Sequence, residues 1–256
     1  MDIQKLIPKQ PEWLQSHTIL LGRVGSHAYG TATETSDLDF KGICIPPADY
    51  FLGLKSFDGY DKSGGKNFKN QAGDIDVLII HINKFVRDAM VGVPNNIELL
   101  FLDDEDYIHI NDYGFELLEV RNRFLSKQIM KKFGGYAKSQ AQKMQQLNSN
   151  GKARSELVDK YGYDTKFFMH TVRLLQMATE ILFTGKMKTK RSNAEFLVAL
   201  RNGSHNLEEA LSYIEELEKQ LQDAYKKSTL PERPDEEFIN NWLIDFNINH
   251  SIQARF

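Results

Sequence analysis

Residues 18–45 read TILLGRVGSHAYGTATETSDLDFKGICI, and the predicted fold depends on this stretch. Thr18–Val24 is a short apolar run that ends at Gly25, and Asp37–Ile45 ends in a second apolar run. Short apolar runs bounded by glycine and polar residues are typical of buried β-strands. Ile75–Ile82 is a third such run, so the first half of the chain is predicted to contain three strands.

The segment Gly25–Gly30, with the sequence GSHAYG, follows the first predicted strand and opens a predicted helix. Glycine at such a turn lets the backbone approach a ligand closely, and the free N–H groups of a helix N-terminus attract anions. We therefore predict that Gly25 and Ser26 bind phosphate. An ordinary turn is the alternative interpretation of a Gly-Ser pair taken alone.

Two acidic residues, Asp37 and Asp39, are spaced by two on the second predicted strand. Side chains alternate along a strand, so both carboxylates are expected on one face of the sheet, where they repel each other unless a cation lies between them. Asp76 opens the third predicted strand and would complete three oxygen ligands of the kind that hard divalent metals prefer. Asp74 is the alternative third ligand, because a shift of one residue exchanges the two faces of a strand. Each acid alone is also compatible with a solvated strand end.

Apolar residues recur at intervals of three and four in the second half of the chain, which predicts helices. We expect an α/β (α+β) protein with a small mixed-sheet domain over residues 1–125 and an all-helical domain over residues 126–256. Asn83 is predicted to cap a helix that ends at Met90 and is stopped near Gly92 and Pro94. The other predicted helices are Tyr136–Met144, Thr165–Phe183, Ala194–Leu200, Leu207–Lys226 and Glu236–Ile244.

The composition is that of a soluble globular protein, with 41% hydrophobic and 26% charged residues in a chain of 256. The single cysteine, Cys44, excludes a disulfide framework and a cysteine-rich zinc module, and we expect it to be a core residue. No apolar run approaches the ~18 residues of a membrane span, and the first residues lack the pattern of a signal peptide. We therefore expect a cytoplasmic protein without membrane contact.

The net charge of −3 is unevenly distributed along the chain. Residues 1–126 carry 12 Lys and Arg against 19 Asp and Glu, residues 127–191 carry 14 against 4, and residues 192–256 carry 6 against 12. The basic middle segment is compatible with phosphate or nucleic-acid binding. A solvated basic helix face gives the same count, and charge alone favours that simpler interpretation.

The pair Gly25-Ser26 followed by Asp37-x-Asp39 resembles the signature of the DNA polymerase β nucleotidyltransferase superfamily. The longer strings GSHAYGTATETSDLDFKGI and IHINKFVRDAMVGVPNNIELLF resemble its RNA-ligase-associated branch, called RlaP. The similarity continues through YDTKFFMHTVRLLQMATEILFTGKM, FLVALRNGSHNLEEAL and AYKKSTLPERPD, so it covers nearly the whole chain.

The resemblance implies transfer of a nucleoside monophosphate from an NTP to a hydroxyl, with release of pyrophosphate. Asp37, Asp39 and Asp76 would hold Mg²⁺ (or Mn²⁺), and Gly25 and Ser26 would hold the outer phosphates. It also implies RNA as the acceptor, in repair of tRNA or other RNA ends. A protein hydroxyl, as in toxin-like relatives, is an alternative acceptor. A non-catalytic nucleotide-binding scaffold is a third possibility, against which the three acids argue.

Cationic residues of the helical half are further candidates for nucleotide or acceptor binding. Lys166, His170 and Arg173 lie at i, i+4 and i+7 of one predicted helix and therefore share a face. The residues of this helix that can face the core are Phe167, Leu174, Leu175, Ala178 and Leu182. Within the resemblance this face would meet phosphate, and the alternative interpretation is a solvated face. Arg201, at the end of the next predicted helix, is a weaker candidate.

Overall fold

The computed structural model of the chain describes residues 6–34, 36–62, 75–145 and 155–252. The fold is α+β, with a mixed five-stranded sheet and a helical C-terminal region, so the predicted fold class is confirmed. Within the described residues, no helix has the length and hydropathy that crossing a membrane requires.

Contacts within the chain define two compact units. The first comprises Met1–Met90, Asn95–Phe124 and Pro234–Phe256, and the second comprises Val91–Pro94 and Leu125–Arg233. The division into domains 1–125 and 126–256 stays a prediction. The contact-based units differ from it in one main respect, because the C-terminal segment groups with the first unit.

The sheet belongs to the first unit and has the strand order β3-β4-β2-β1-β5. Strands β2 and β4 are parallel, and the other neighbouring pairs are antiparallel. The strands are β1 (Thr18–Val24), β2 (Leu38–Cys44), β3 (Gly59–Asp61), β4 (Ile75–His81) and β5 (Tyr107–Ile110).

The three strands predicted from apolar runs form the centre of the sheet, and their observed ends agree with the prediction to within one residue. Leu20, Leu21, Ile43 and Ile79 are fully buried along them, and Cys44 is a core residue as predicted. Burial raises the pKa of the Cys44 thiol to about 12. The edge strands β3 and β5 were not predicted, because they are short and carry no buried apolar run.

Helices of the first unit flank the sheet and connect its strands. Pro94 is the first residue of a helix that the sequence did not predict, since proline was taken only as a stop signal and yet is well tolerated at this position. The helices are α1 (Leu14–His17), α2 (Gly25–Tyr29), α3 (Ile82–Met90), α4 (Pro94–Leu100), α5 (Asp112–Glu119) and α11 (Glu236–Asn247).

The predicted cap of helix α3 is wrong. The helix begins at Ile82, and the backbone N–H of Asn83 donates to Nδ1 of His81 at 3.0 Å. The Asn83 side chain instead accepts a hydrogen bond from Nδ2 of Asn247 at 2.8 Å. A second contact of the C-terminal segment joins Nε2 of His250 to Oε2 of Glu116 at 2.8 Å. These two contacts connect α11 and the residues after it to the first unit.

The second unit is built around α8 (Thr165–Thr184), whose side chains are buried on most of its circumference. Asp164 caps this helix by accepting hydrogen bonds from the backbone N–H groups of Lys166 and Phe167. Of the residues predicted to face the core, Phe167 is half-buried, and the other four, Leu174, Leu175, Ala178 and Leu182, are buried. The helices are α6 (Gln128–Gln145), α7 (Ser155–Tyr161), α8 (Thr165–Thr184), α9 (Ala194–Arg201) and α10 (Leu207–Lys227).

The stability of the first unit is expected to fall at acidic pH because of His81. Burial and the nearby Arg87 lower the pKa of its imidazole to about 4, from an ordinary value of 6.5. Between these pH values the unfolded chain binds a proton that the folded chain does not, so the free energy of unfolding decreases as the pH falls. The variant His81→Asn keeps an acceptor for the Asn83 N–H and removes the titration.

Urea unfolding of wild type and His81→Asn at pH 6.5 and pH 4 measures this effect. We expect the wild type to lose about 1–3 kcal/mol more than the variant over that interval. Equal losses in the two proteins would contradict the lowered pKa.

Candidate active site

A row of paired residues crosses the three central strands β1, β2 and β4. Val24 of β1 is the partner of Asp39 on β2, and Asp39 is the partner of Asp76 on β4. Residues directly opposite on neighbouring strands project from the same face of a sheet, so the Asp39 and Asp76 carboxylates are neighbours. Asp74 lies outside the described residues. The register thus brings together two of the three acids predicted to bind metal.

Gly25 follows Val24 directly and lies against Asp39. Its φ of +69° is in the left-handed region, and a Cβ atom at this position would overlap the Asp39 carboxylate. The positive φ and the overlap with Asp39 both disfavour any residue other than glycine at this position. The sequence suggested that Gly25 makes room for a ligand, and the structure adds that it makes room for a carboxylate of the same chain.

A cavity of about 310 Å³ opens at this row. Its lining combines four acidic residues, Asp39, Asp61, Asp76 and Glu98, with one cation, Lys41. Strands β1 to β4 and helices α2 and α4 all contribute to it. The other lining residues are Val24, Gly25, Tyr29, Phe40, Val77, Leu78 and Asn95.

Lys41 is a cavity residue that the sequence analysis missed. It lies two residues after Asp39 on β2, so the two side chains leave the same face, and it is only 6% exposed. Its ammonium group donates to the side-chain oxygen of Asn96, which is also buried. Burial lowers the pKa of Lys41 to about 8, and the Glu98 carboxylate opposes this shift. The side chain therefore remains mostly cationic at neutral pH.

Glu98 connects α4 to the helix that contains the Gly-Ser pair. The hydroxyl of Tyr29 donates to Oε2 of Glu98 at 2.6 Å, and both residues are buried. Tyr29 ends α2, the helix that Gly25 begins. With the contact between Lys41 and Asn96, two buried polar contacts thus attach α4 to β2 and to α2. Glu98 is the charged residue of the otherwise apolar segment IELLF. This position could have indicated a buried functional residue, and it was overlooked.

Two other residues predicted for this site, Asp37 and Ser26, do not line the cavity. Asp37 is half-buried, directly precedes β2, and is not among the residues that line the cavity. Ser26 is half-buried within α2, and its carbonyl accepts a hydrogen bond from the Thr31 N–H at 2.8 Å. The functional roles of both residues stay predictions.

The four candidates from the helical half lie in the second unit. Lys166 and His170 are half-buried on α8, whereas Arg173 is only 4% exposed and its Nη1 lies 3.1 Å from Sδ of Met177. A solvated face, the alternative interpretation of this group, is therefore wrong for Arg173. Arg201 is half-buried at the end of α9, and its carbonyl accepts a hydrogen bond from Thr165 Oγ1 at 2.6 Å. Phosphate binding by the four residues stays a prediction.

The donor atoms of the cavity fit a hard divalent cation that is bound together with a nucleotide. Asp39 and Asp76 offer adjacent carboxylates, and carboxylate oxygens are the ligands that Mg²⁺ prefers. Across the described ranges, no group of three or more His, Cys, Asp and Glu side chains is arranged to hold a metal by itself. Mg²⁺ in phosphoryl-transfer sites is usually held by one or two carboxylates and by the substrate phosphates, so the pair is sufficient for that mode of binding.

The chain matches a known protein family over most of its length. The model of RlaP, described as the RNA repair pathway DNA polymerase beta family, matches residues 6–245. The chain belongs to this family. The resemblance seen in the sequence is thereby confirmed.

Further similarities are weaker or partial. A 38.9 kDa uncharacterised protein of Enterobacteria phage T4, from the nrdC-mobD intergenic region, is 31% identical over 129 residues, which cover 49% of this RlaP-family chain and 38% of the phage protein. A nucleotidyltransferase-like protein from Exiguobacterium sibiricum aligns with a TM-score of 0.29 and 13% identity over 93% of this chain and 70% of its own. Spectinomycin adenyltransferase AAD(9) from Enterococcus faecialis, with ATP and spectinomycin, aligns with a TM-score of 0.40 and 14% identity over 96% and 95%.

Replacing Gly25 by alanine is expected to disturb the Asp39 carboxylate as well as the backbone. Gly162→Ala is a matched control, because Gly162 also has a positive φ, of +83°, and a Cβ there would meet nothing within 4 Å. Both variants should lose about 1–2 kcal/mol of stability from backbone strain. Only Gly25→Ala should also weaken binding of NTP with Mg²⁺, by at least about tenfold, equivalent to roughly 1.4 kcal/mol.

Thermal unfolding and titration with a fluorescent NTP analogue measure the two effects. Unchanged NTP affinity in Gly25→Ala would remove the link between this glycine and nucleotide binding.

Proposed function

We propose that this protein is a metal-dependent nucleotidyltransferase that moves a nucleoside monophosphate from an NTP to a hydroxyl acceptor and releases pyrophosphate. The observation that carries the proposal is the pairing of Asp39 with Asp76 in a cavity that Gly25 also lines. Membership of a nucleotidyltransferase family supports it.

We further propose that the acceptor is RNA and that the reaction serves repair of RNA ends in the cytoplasm. The family description, which names an RNA repair pathway, supports this choice. The excess of positive charge in residues 127–191 also supports it, since a polyanionic acceptor requires cations on the protein.

The proposed roles follow from the chemistry of each residue. Asp37, Asp39 and Asp76 would hold Mg²⁺ (or Mn²⁺), and Gly25 and Ser26 would bind the outer phosphates of the NTP. The bound cation supplies charge neutralisation at the phosphates and lowers the pKa of the acceptor hydroxyl. Lys41 offsets part of the negative charge of the acidic cavity, which otherwise repels a triphosphate.

The bond changes are those of an in-line displacement. The acceptor oxygen forms a bond to the α-phosphorus, and the bond from that phosphorus to the oxygen bridging to the β-phosphate breaks. Pyrophosphate leaves with the electron pair of that bond, and the acceptor proton passes to a carboxylate of the site or to water. The adjacent carboxylates orient the reactants, so the rate depends on their spacing across β2 and β4.

Alanine variants of the acids test the activity. Asp37→Ala, Asp39→Ala and Asp76→Ala should each abolish transfer, with rates at least about 10³-fold below wild type, because removing a metal ligand costs several kcal/mol of transition-state stabilisation. The exposed Asp245→Ala is the matched control and should keep the wild-type rate. Asp74→Ala should be much milder than Asp76→Ala.

Each NTP, labelled at the α-phosphate, is incubated with the protein, Mg²⁺ or Mn²⁺, and total cellular RNA and protein. Label in RNA supports the proposed acceptor, and label in protein would assign a protein hydroxyl instead. If wild type binds NTP but labels no macromolecule, a nucleotide-binding scaffold becomes the better description. Circular dichroism confirms that each inactive variant is folded.

A further inference from the structure

A second and larger cavity lies wholly within the helical unit. Its volume is about 1020 Å³, and it lies between α6, α10 and the segment that follows α10. We call it the α6–α10 groove. Its charged lining residues are Lys127, Lys131, Lys132, Lys138, Glu218, Glu232 and Arg233. Five cations therefore face two acids.

The cations of the groove differ in how they are paired. Lys127 is bound to Glu232, with Nζ 2.7 Å from Oε1. Four others have no acidic partner within 4 Å among the residues that the structure describes, namely Lys131, Lys132, Lys138 and Arg233. All four are exposed. The groove thus has uncompensated positive charge that is available to a ligand.

Two consecutive glycines in the middle of α6 contribute to the lining of the groove. Gly134 and Gly135 both line the groove, and glycine inside a helix costs about 1 kcal/mol relative to alanine. A Cβ at Gly135 would meet nothing within 4 Å, so packing does not require glycine there. Gly135 thus leaves the helix surface open between Lys131 and Lys138, whereas a Cβ at Gly134 would lie 3.3 Å from Cδ2 of Leu221.

The spacing of the cations selects an extended ligand over a compact one. Lys131 and Lys138 are seven residues apart, which corresponds to about 10 Å along a helix. A strand with a negative charge at every nucleotide can pair with all the cations of the groove, whereas a single phosphate group would leave part of their excess charge unneutralised. Tyr225 also lines the groove, and the ammonium group of Lys127 lies over its ring, 5.5 Å from the ring centroid. Cations beside an aromatic ring are a combination typical of single-stranded nucleic-acid binding.

We infer that the α6–α10 groove binds the phosphate backbone of a single-stranded nucleic acid. The inference rests on the proposed function in one respect, since the bound strand would be the acceptor of the nucleoside monophosphate. The binding itself involves only the helical unit and does not require the acidic cavity to be active. The two proposals can therefore fail separately.

Charge-neutralising variants test the groove. The triple variant Lys131→Gln, Lys132→Gln and Lys138→Gln removes three groove cations. The control triple variant Lys186→Gln, Lys188→Gln and Lys219→Gln removes three exposed lysines of the same unit that do not line the groove, so the net charge changes equally. Fluorescence anisotropy with a labelled single-stranded RNA of about fifteen nucleotides, from about 50 to 200 mM salt, gives the affinity and its salt dependence. Titration with a fluorescent NTP analogue follows the other site.

The groove variant is expected to bind the RNA at least about tenfold more weakly, and the slope of log affinity against log salt should decrease by about 2, near 0.7 for each cation removed. The control variant should change less than about threefold, and NTP affinity should be unchanged in both. Equal losses in the two variants would overturn the inference and leave only a general effect of net charge. Displacement of the RNA by polyglutamate of equal charge at equal concentration would also overturn it and would assign an acidic polypeptide.

Measurements of transfer and of RNA affinity distinguish failure of the transferase proposal from failure of the groove assignment. If Asp39→Ala and wild type are equally inactive in transfer while the groove variant still loses RNA binding, the groove assignment holds and the transferase proposal fails. If transfer to RNA is lost in Asp39→Ala but RNA affinity is the same in wild type and the groove variant, the transferase proposal holds and the groove assignment fails.

Discussion

The close approach of Gly25 to the Asp39 carboxylate is the constraint on which the candidate site depends. A left-handed residue without a side chain is required where β1 ends, because the chain turns directly beside an acid of the neighbouring strand. The same turn begins α2, and the antiparallel pairing of Val24 with Asp39 determines where that helix starts relative to the acidic row. The parallel pairing of β2 with β4 then adds Asp76 to the row. One glycine and two strand registers thus produce the whole arrangement.

Helix α4 gives this arrangement a rigid wall. It covers part of the face that carries the acids, and its buried polar residues contact Lys41 on β2 and Tyr29 on α2. Buried charges are tolerated only when they are paired or hydrogen-bonded, so each contact restricts how far α4 can move from its neighbours. The cost of burying Lys41 is visible in its lowered pKa. Four acids around a single lysine make a cavity whose negative charge favours cations with bound phosphate over free anions.

Much of this site was predictable from local patterns, and the remainder depends on tertiary packing. The apolar runs around β1, β2 and β4 identify buried strands, and Asp39, which was predicted as a site residue from its place on the second strand, lines the cavity. Lys41 was missed because a lysine in a strand ordinarily indicates a solvated position, and only the placement of α4 buries it. Pro94 was misread for a related reason, since a proline ends one helix or begins the next according to context. Arg173 shows the limit of spacing arguments, because a shared helix face does not reveal whether that face is exposed.

The return of α11 to the first unit affects the order in which the protein can be completed during synthesis. Asn83 is made early and Asn247 late, yet their side chains are hydrogen-bonded. The ribosome therefore produces the entire helical unit before the last helix of the sheet-containing unit exists. Chains generally fold from the N-terminus as they emerge, but here the hydrogen bond between Asn83 and Asn247 can form only after the helical unit between them has been synthesised. A nascent chain arrested inside the helical unit would therefore lack the segment that completes the first unit.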